Sequence, residues 1–104
     1  MRQLIVVVKP FKAQAVLEAL ADLEIEDCII RDARGFGRQK SYLGKYLGSE
    51  YEGAFLPKVE IVLWVHDDLA EQTVQRIMKA ARTGRIGDGK IFVVQTAWPE
   101  TLGF

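Results

Sequence analysis

Lys58-Val59-Glu60-Ile61-Val62-Leu63-Trp64-Val65 is the stretch on which the fold turns. Successive side chains of a strand point to opposite faces, so Val59, Ile61, Leu63 and Val65 fall on one side and Lys58, Glu60, Val62 and Trp64 on the other. The spacing predicts a strand over 58–65 with apolar residues on both faces, buried from both sides. Asp67-Asp68 follows and offers an N-cap, with Glu71 three residues after Asp68 as a capping box. Leu69, Val74, Ile77, Met78 and Ala81 then recur at helical spacing, which predicts a helix running to Thr83-Gly84.

Working outward toward the N-terminus, Gln3–Val8 is a short β-branched run that stops at Lys9-Pro10 and reads as a buried strand. Phe11–Leu23 carries Ala13, Val16, Leu17, Leu20, Ala21 and Leu23 at helical spacing and reads as a first helix. Glu26–Arg34 reads as a second strand ending in the turn Gly35-Phe36-Gly37. Toward the C-terminus, Gly84–Gly89 is a glycine-rich turn, Lys90–Thr96 a last strand, and Trp98–Phe104 an apolar tail containing proline. The order is βαββαβ, so the expected class is α+β, ferredoxin-like: a four-stranded antiparallel sheet with two helices on one face. The other face then needs a cover, for which a second copy of the chain is the natural candidate.

Gly37–Phe55, between strands two and three, shows no sustained period and holds all three tyrosines, Tyr42, Tyr46 and Tyr51. It reads as a long, mobile loop, and loops of that length in small domains are commonly binding loops. The chain has 104 residues, 49% hydrophobic and 27% charged, which suits one domain over 1–104 that buries about two-thirds of its unfolded surface. A single cysteine, Cys28, excludes an intrachain disulfide or a CxxC site and fits a reducing compartment. The 14 basic and 14 acidic residues cancel, so the field used for nonspecific nucleic-acid or membrane binding is lacking. The apolar runs are far shorter than a membrane span, and no cleavable signal pattern opens the sequence. A cytoplasmic protein is expected, with neither a nucleic-acid partner nor direct membrane insertion.

Eight of the nine glycines fall in Gly35–Gly53 and Gly84–Gly89, each beside basic residues, and these stretches are the candidate sites. In Arg82-Thr83-Gly84-Arg85-Ile86-Gly87-Asp88-Gly89-Lys90, glycine lets backbone amides approach an anion while Arg82, Arg85 and Lys90 supply charge. The stretch follows a helix C-terminus, so it is neither a Walker A loop nor a dinucleotide fingerprint, and the bland reading is a helix C-cap followed by a turn. Arg34-Gly35-Phe36-Gly37-Arg38-Gln39-Lys40, with Lys45 beyond, carries four positive and no negative charges and suits an anionic ligand or partner. Its bland reading is a solvated hairpin arm. Catalysis has less support: His66 and Cys28 lie in different segments, Asp67-Asp68 reads as a cap, and no carboxylate and histidine cluster has metal-ligand spacing.

These residues resemble the PII signal-transduction proteins, the nitrogen regulatory family. The resemblance rests on Lys9-Pro10-Phe11-Lys12, Gly35–Lys40, Tyr46-Leu47-Gly48-Ser49-Glu50-Tyr51, Phe55-Leu56-Pro57-Lys58 and Thr83–Val93, five blocks in the family's order and spacing. It implies a non-catalytic homotrimer with ATP or ADP bound in the clefts between protomers. The nucleotide-binding residues so implied are Gly35, Gly37, Arg38, Trp64, Gly87, Asp88, Gly89 and Lys90. Gln39, Lys40, Ser41 and Lys58 would hold the effector 2-oxoglutarate, with Gln39 also helping to coordinate magnesium. The segment of about 37–55 corresponds to the family's T-loop, which docks on targets such as ammonium or other transporters, nucleotidylyltransferases, kinases and transcriptional regulators. Tyr51 matches the tyrosine that some members have nucleotidylated.

The chain also departs from the family pattern. Leu47 stands where a basic residue is usual, Ile29 where the adenine pocket has threonine, and Trp64 where it has a small aliphatic residue. The tail lacks the two arginines that reach the nucleotide phosphates; at roughly 1.5–3 kcal/mol per charge-assisted bond, their loss weakens ATP by about a hundredfold or more. These departures keep a second expectation open: a divergent PII-like regulator of a bicarbonate or metal transporter, responding to ADP or AMP without 2-oxoglutarate.

Overall fold

The structure, a computed structural model, describes residues 1–35, 56–85, 87–100 and 102. Among the described residues four strands and two α-helices are present: β1 (Arg2–Val8), α1 (Ala13–Leu20), β2 (Asp27–Gly35), β3 (Leu56–Val65), α2 (Asp67–Ala81) and β4 (Gly89–Gln95). The sheet order is β2-β3-β1-β4, with every neighbouring pair antiparallel. This is the expected ferredoxin-like topology. The T-loop segment expected at 37–55 lies outside the described residues.

β1 shows why one face is closed. Leu4, Val6 and Val8 alternate into the core and pack with Val59, Ile61, Leu63 and Val65 of β3 beneath Val16 and Leu20 of α1 and Ala70, Ile77 and Ala81 of α2. Burying a Leu or Ile side chain is worth about 1.5–3 kcal/mol, so this layer is what holds the helices down. Arg76 pins the two helices together, donating to the Ala19 carbonyl at the C-terminal end of α1 and pairing with Asp22. Within α2, Thr73 is fully buried and satisfies its hydroxyl by donating to the Leu69 carbonyl at 2.7 Å. As expected, β3 is closed on both faces for much of its length: Lys58 and Val62, on the side away from the helices, are also buried.

Several boundaries differ from the sequence reading, each for a local reason. The first helical segment opens as a 3₁₀ turn at Pro10–Lys12 and becomes α-helical only at Ala13. The N-cap position of α2 is His66, and Asp67 and Asp68 lie in the first turn with no side-chain cap bond. The expected capping box does not form: the Asp67 carboxylate is taken by the Met1 amino group at 2.8 Å and by Arg2. The hydrogen bond from that amino group, foremost, lowers the Asp67 pKa from its ordinary value. α2 ends at Ala81, two residues before Thr83, because Arg82 already has extended backbone.

Candidate functional site

One end of the sheet gathers the basic residues. The β1–β4 and β1–β3 registers place Gly89 opposite Val8 and Val8 opposite Val59, so Lys9, Lys58 and the 82–88 connection converge where β1 ends and β3 and β4 begin. On the face away from the helices, Lys90 of β4, Val7 of β1, Glu60 of β3 and Arg31 of β2 form one cross-strand row. Arg31 pairs with Glu60 across that row.

The 82–88 connection is shaped by one carboxylate. Asp88 Oδ2 accepts from the Thr83 amide at 2.7 Å and the Gly84 amide at 2.9 Å, while Oδ1 accepts from the Thr83 hydroxyl. The Arg85 amide donates to Thr83 Oγ1 at 3.2 Å, and Lys9 Nζ lies 3.4 Å from Asp88 Oδ1. Donation from the Thr83 hydroxyl first, then from the Thr83 amide, Gly84 and Lys9, holds the Asp88 carboxyl well below the usual carboxylate range. The positive φ of Gly84, 84°, turns the chain into the loop. Gly89 is required for a different reason: a Cβ there would lie 2.0 Å from the Val7 carbonyl oxygen.

Lys58 is the second organising group. It is 8% exposed, and its Nζ donates to the Gly87 carbonyl at 2.8 Å, which ties the start of β3 to the loop. Burial, and then repulsion from Lys9, lowers the pKa of its ammonium from the ordinary lysine value, while Asp88 acts in the opposite direction. An ammonium has three donors and this bond uses one, so the group retains capacity for an anionic acceptor. With Arg31 on Glu60 and Lys9 on Asp88, Lys58, Lys90, Arg82 and Arg85 are cations of this end with no carboxylate partner among the described residues. A partly desolvated positive surplus framed by a glycine-bearing loop is chemistry for a phosphate or a carboxylate.

The residues expected from the sequence divide into three groups. Lys58, Gly87, Asp88, Gly89 and Lys90 come together at this end, and Gly35 ends β2 on the same side, opposite Leu56. Gly37, Arg38, Gln39, Lys40, Ser41 and Tyr51 lie outside the described residues. Trp64 is set apart: it is opposite Gln3, four residues along β1 from the Val7 that faces Lys90, or about 13 Å. Ile29 sits between, opposite Val62. Among the described residues no histidine, cysteine and carboxylate cluster forms a metal site, and no helix is long and apolar enough to cross a membrane.

Lys9 and Thr83 were not singled out in the sequence as site residues. The spacing of Thr83 and Asp88 in the connection that follows α2 is the local signal for a carboxylate closing back on backbone amides. Lys9 had no comparable signal, because only the β1–β4 pairing brings it to Asp88.

Residues 1–98 match the family model described as Nitrogen regulatory protein P-II. Curated relatives of that name include one from Bradyrhizobium diazoefficiens, 47% identical over 93 residues, covering 89% of this chain and 83% of the relative. Nitrogen regulatory protein P-II 1 of Escherichia coli is 45% identical over 97 residues, covering 93% of this chain and 87% of the relative. Among solved structures, the crystal structure of Arabidopsis thaliana PII bound to citrate superposes with a TM-score of 0.72 at 33% identity, covering 92% of this chain and 77% of that one.

Proposed function

The chain belongs to the nitrogen regulatory protein P-II family, a family of signal-transduction regulators rather than enzymes, and from that premise we propose that it is a homotrimeric, non-catalytic sensor of an adenine nucleotide and 2-oxoglutarate. The observation that carries the reading is the buried Lys58 ammonium, bonded to a loop carbonyl and repelled by Lys9. An incoming carboxylate relieves that repulsion and satisfies the remaining donors. The binding of citrate by the Arabidopsis PII, as that structure is described, supports a carboxylate ligand here.

The nucleotide phosphates are assigned to Gly87–Lys90 with Arg38, and magnesium to Gln39. The Gly89 conformation leaves no room for a side chain and lets the backbone lie flush on β1, which fits close approach of phosphate to loop amides. Asp88 serves as the strap that shapes the loop, since its carboxylate is already engaged by Thr83, Gly84 and Lys9. Trp64 is offset from Lys90 by about 13 Å along the strands and lies two strands away across the sheet, so one nucleotide touching both ends of the site takes Trp64 from a neighbouring protomer. Ligand occupancy at Arg38, Gln39 and Lys58 shifts the population of T-loop states, and a target such as a transporter, nucleotidylyltransferase, kinase or transcriptional regulator reads that shift. Tyr51 is the residue proposed for nucleotidylation, and the cytoplasm the proposed compartment.

One observation favours the second reading, a transporter regulator that responds to ADP or AMP. The tail carries no arginine, and its Trp98 packs edge-on against His66, with ring centroids 4.7 Å apart. That contact lies at the β1 start, the end of the sheet away from the phosphate loop. Calorimetric titration of ATP, ADP and AMP with magnesium, each with and without 2-oxoglutarate, separates the two. ATP binding that tightens with 2-oxoglutarate is the expected outcome; ADP or AMP preference with no 2-oxoglutarate response moves the assignment to the second reading.

A further inference from the structure

We propose that Lys9 is a positioning residue that serves both anion subsites, whereas Thr83, acting through Asp88, positions the loop subsite alone. The inference rests on the regulator reading above. The Lys9 ammonium shares one end of the sheet with two groups of opposite needs, since Val8 lies opposite Val59. One, 3.4 Å away, is Asp88, a carboxylate inside the loop that has to receive phosphates. The other is Lys58, whose ammonium is buried on the Gly87 carbonyl and senses the Lys9 charge.

A carboxylate within a phosphate loop opposes its own ligand unless its charge is consumed. Here Thr83 supplies an amide and a hydroxyl, Gly84 supplies an amide, and Lys9 supplies the only full positive charge in contact with Asp88 among the described residues. Lys9, Lys58 and Asp88 together carry a charge of +1; without Lys9 the remaining two sum to zero, and Asp88 has no cation in contact with it beside the subsites. Removing Lys9 therefore weakens a phosphate on the loop and a carboxylate on Lys58 alike. Thr83 is bonded to Asp88 and to the Arg85 amide and makes no bond to Lys58, so its loss affects the loop alone.

The test compares Lys9→Met, Lys9→Arg and Thr83→Val with the wild type. It measures ATP affinity with magnesium, 2-oxoglutarate affinity at saturating ATP, and hydrogen exchange of the Thr83 and Gly84 amides without ligand. Lys9→Met is expected to weaken both ligands by about tenfold and to speed exchange at both amides by a similar factor. Lys9→Arg keeps the charge and is expected to stay within about threefold of wild type. Thr83→Val is expected to weaken ATP by about tenfold while leaving 2-oxoglutarate unchanged.

Wild-type affinities and exchange rates in Lys9→Met overturn the proposal. So does a Thr83→Val profile that matches Lys9→Met on both ligands, since loop stability alone then explains the effects. If the wild type binds neither ligand, the regulator reading fails and takes the two-subsite role with it; slow exchange that persists in Lys9→Met would then also remove the role of Lys9 in holding the loop.

Discussion

At the scale of single residues, Lys58 and Asp88 are displaced from their ordinary titration in ways that have opposite consequences for stability. Burial and Lys9 lower the Lys58 pKa, so the unfolded chain binds that proton more readily than the folded one. Its charge is a deficit below the folded value, and that deficit disappears as pH rises toward the ordinary value of about 10.4. Lys58→Met is accordingly expected to leave the thermal midpoint unchanged or raised at pH 7, while 2-oxoglutarate affinity falls by roughly ten- to a hundredfold; calorimetry and a thermal melt check both halves. Asp88 has the reverse sign: its carboxyl is depressed, so its contribution is complete above about pH 3.9 and is lost as pH falls toward the lower folded value. The Thr83 and Gly84 amide resonances are expected to keep their native positions at pH 3.5, where an ordinary aspartate is mostly protonated, and to lose them in Asp88→Asn. The sequence made the cluster only partly legible. Glycine and charge around 82–90 marked a candidate loop, but the choice of Gly87 as the acceptor for Lys58 depends on a pairing 29 residues away in the chain.

Among the elements, periodicity located each strand and α-helix of the described residues, and competition for side chains moved the ends. Strand β3 was the most legible, because alternation over eight residues leaves no competing period. The start of α2 was not, because Asp67 has two possible partners and the Met1 amino group takes it from the helix end. No local pattern announces that, since Met1 and Asp67 meet only when β1 lies beside β3. The glycines separate by the same logic. Gly84 has φ +84° with nothing within 4 Å of an added Cβ, so Gly84→Ala is expected to cost only the left-handed backbone penalty of about 1–2 kcal/mol. Gly89 has φ +136° and a backbone oxygen where the Cβ would stand, so Gly89→Ala forces β4 away from β1 and is expected to cost more than ~3 kcal/mol. Urea unfolding midpoints of the two variants check the order, and equal midpoints would show that the β1–β4 approach at Val7 is not tight.

For the whole molecule, the side of the sheet without helices sets the question. The registers align Ile29, Val62, Ile5 and Phe92 in one row across all four strands on that side. Ile29 at one edge is 45% exposed and Phe92 at the other is 50% exposed, whereas Val62 between them is buried by its neighbours. The sequence reading reached this asymmetry by counting: two helices cover one face of a four-stranded sheet, and an apolar Val62 and Trp64 remain on the other. It did not reach the edges, because nothing in Cys28-Ile29-Ile30 marks β2 as an edge strand. An apolar row of this extent is stable in water when it meets a complementary surface, and in the proposed trimer that surface would be another copy, whose loop would take up the Trp64 that the nucleotide assignment requires. Phe92→Glu places a charge at the edge of the row without touching the helix-side core of Leu4, Ile61 and Ile77. Sedimentation is expected to give a trimer for the wild type and a monomer for Phe92→Glu, with unchanged far-ultraviolet circular dichroism showing that the protomer still folds. In the same variant ATP affinity is expected to fall at least tenfold, since a site shared between protomers cannot survive their separation; a folded monomer that binds ATP as the wild type does would place the whole nucleotide site within one chain.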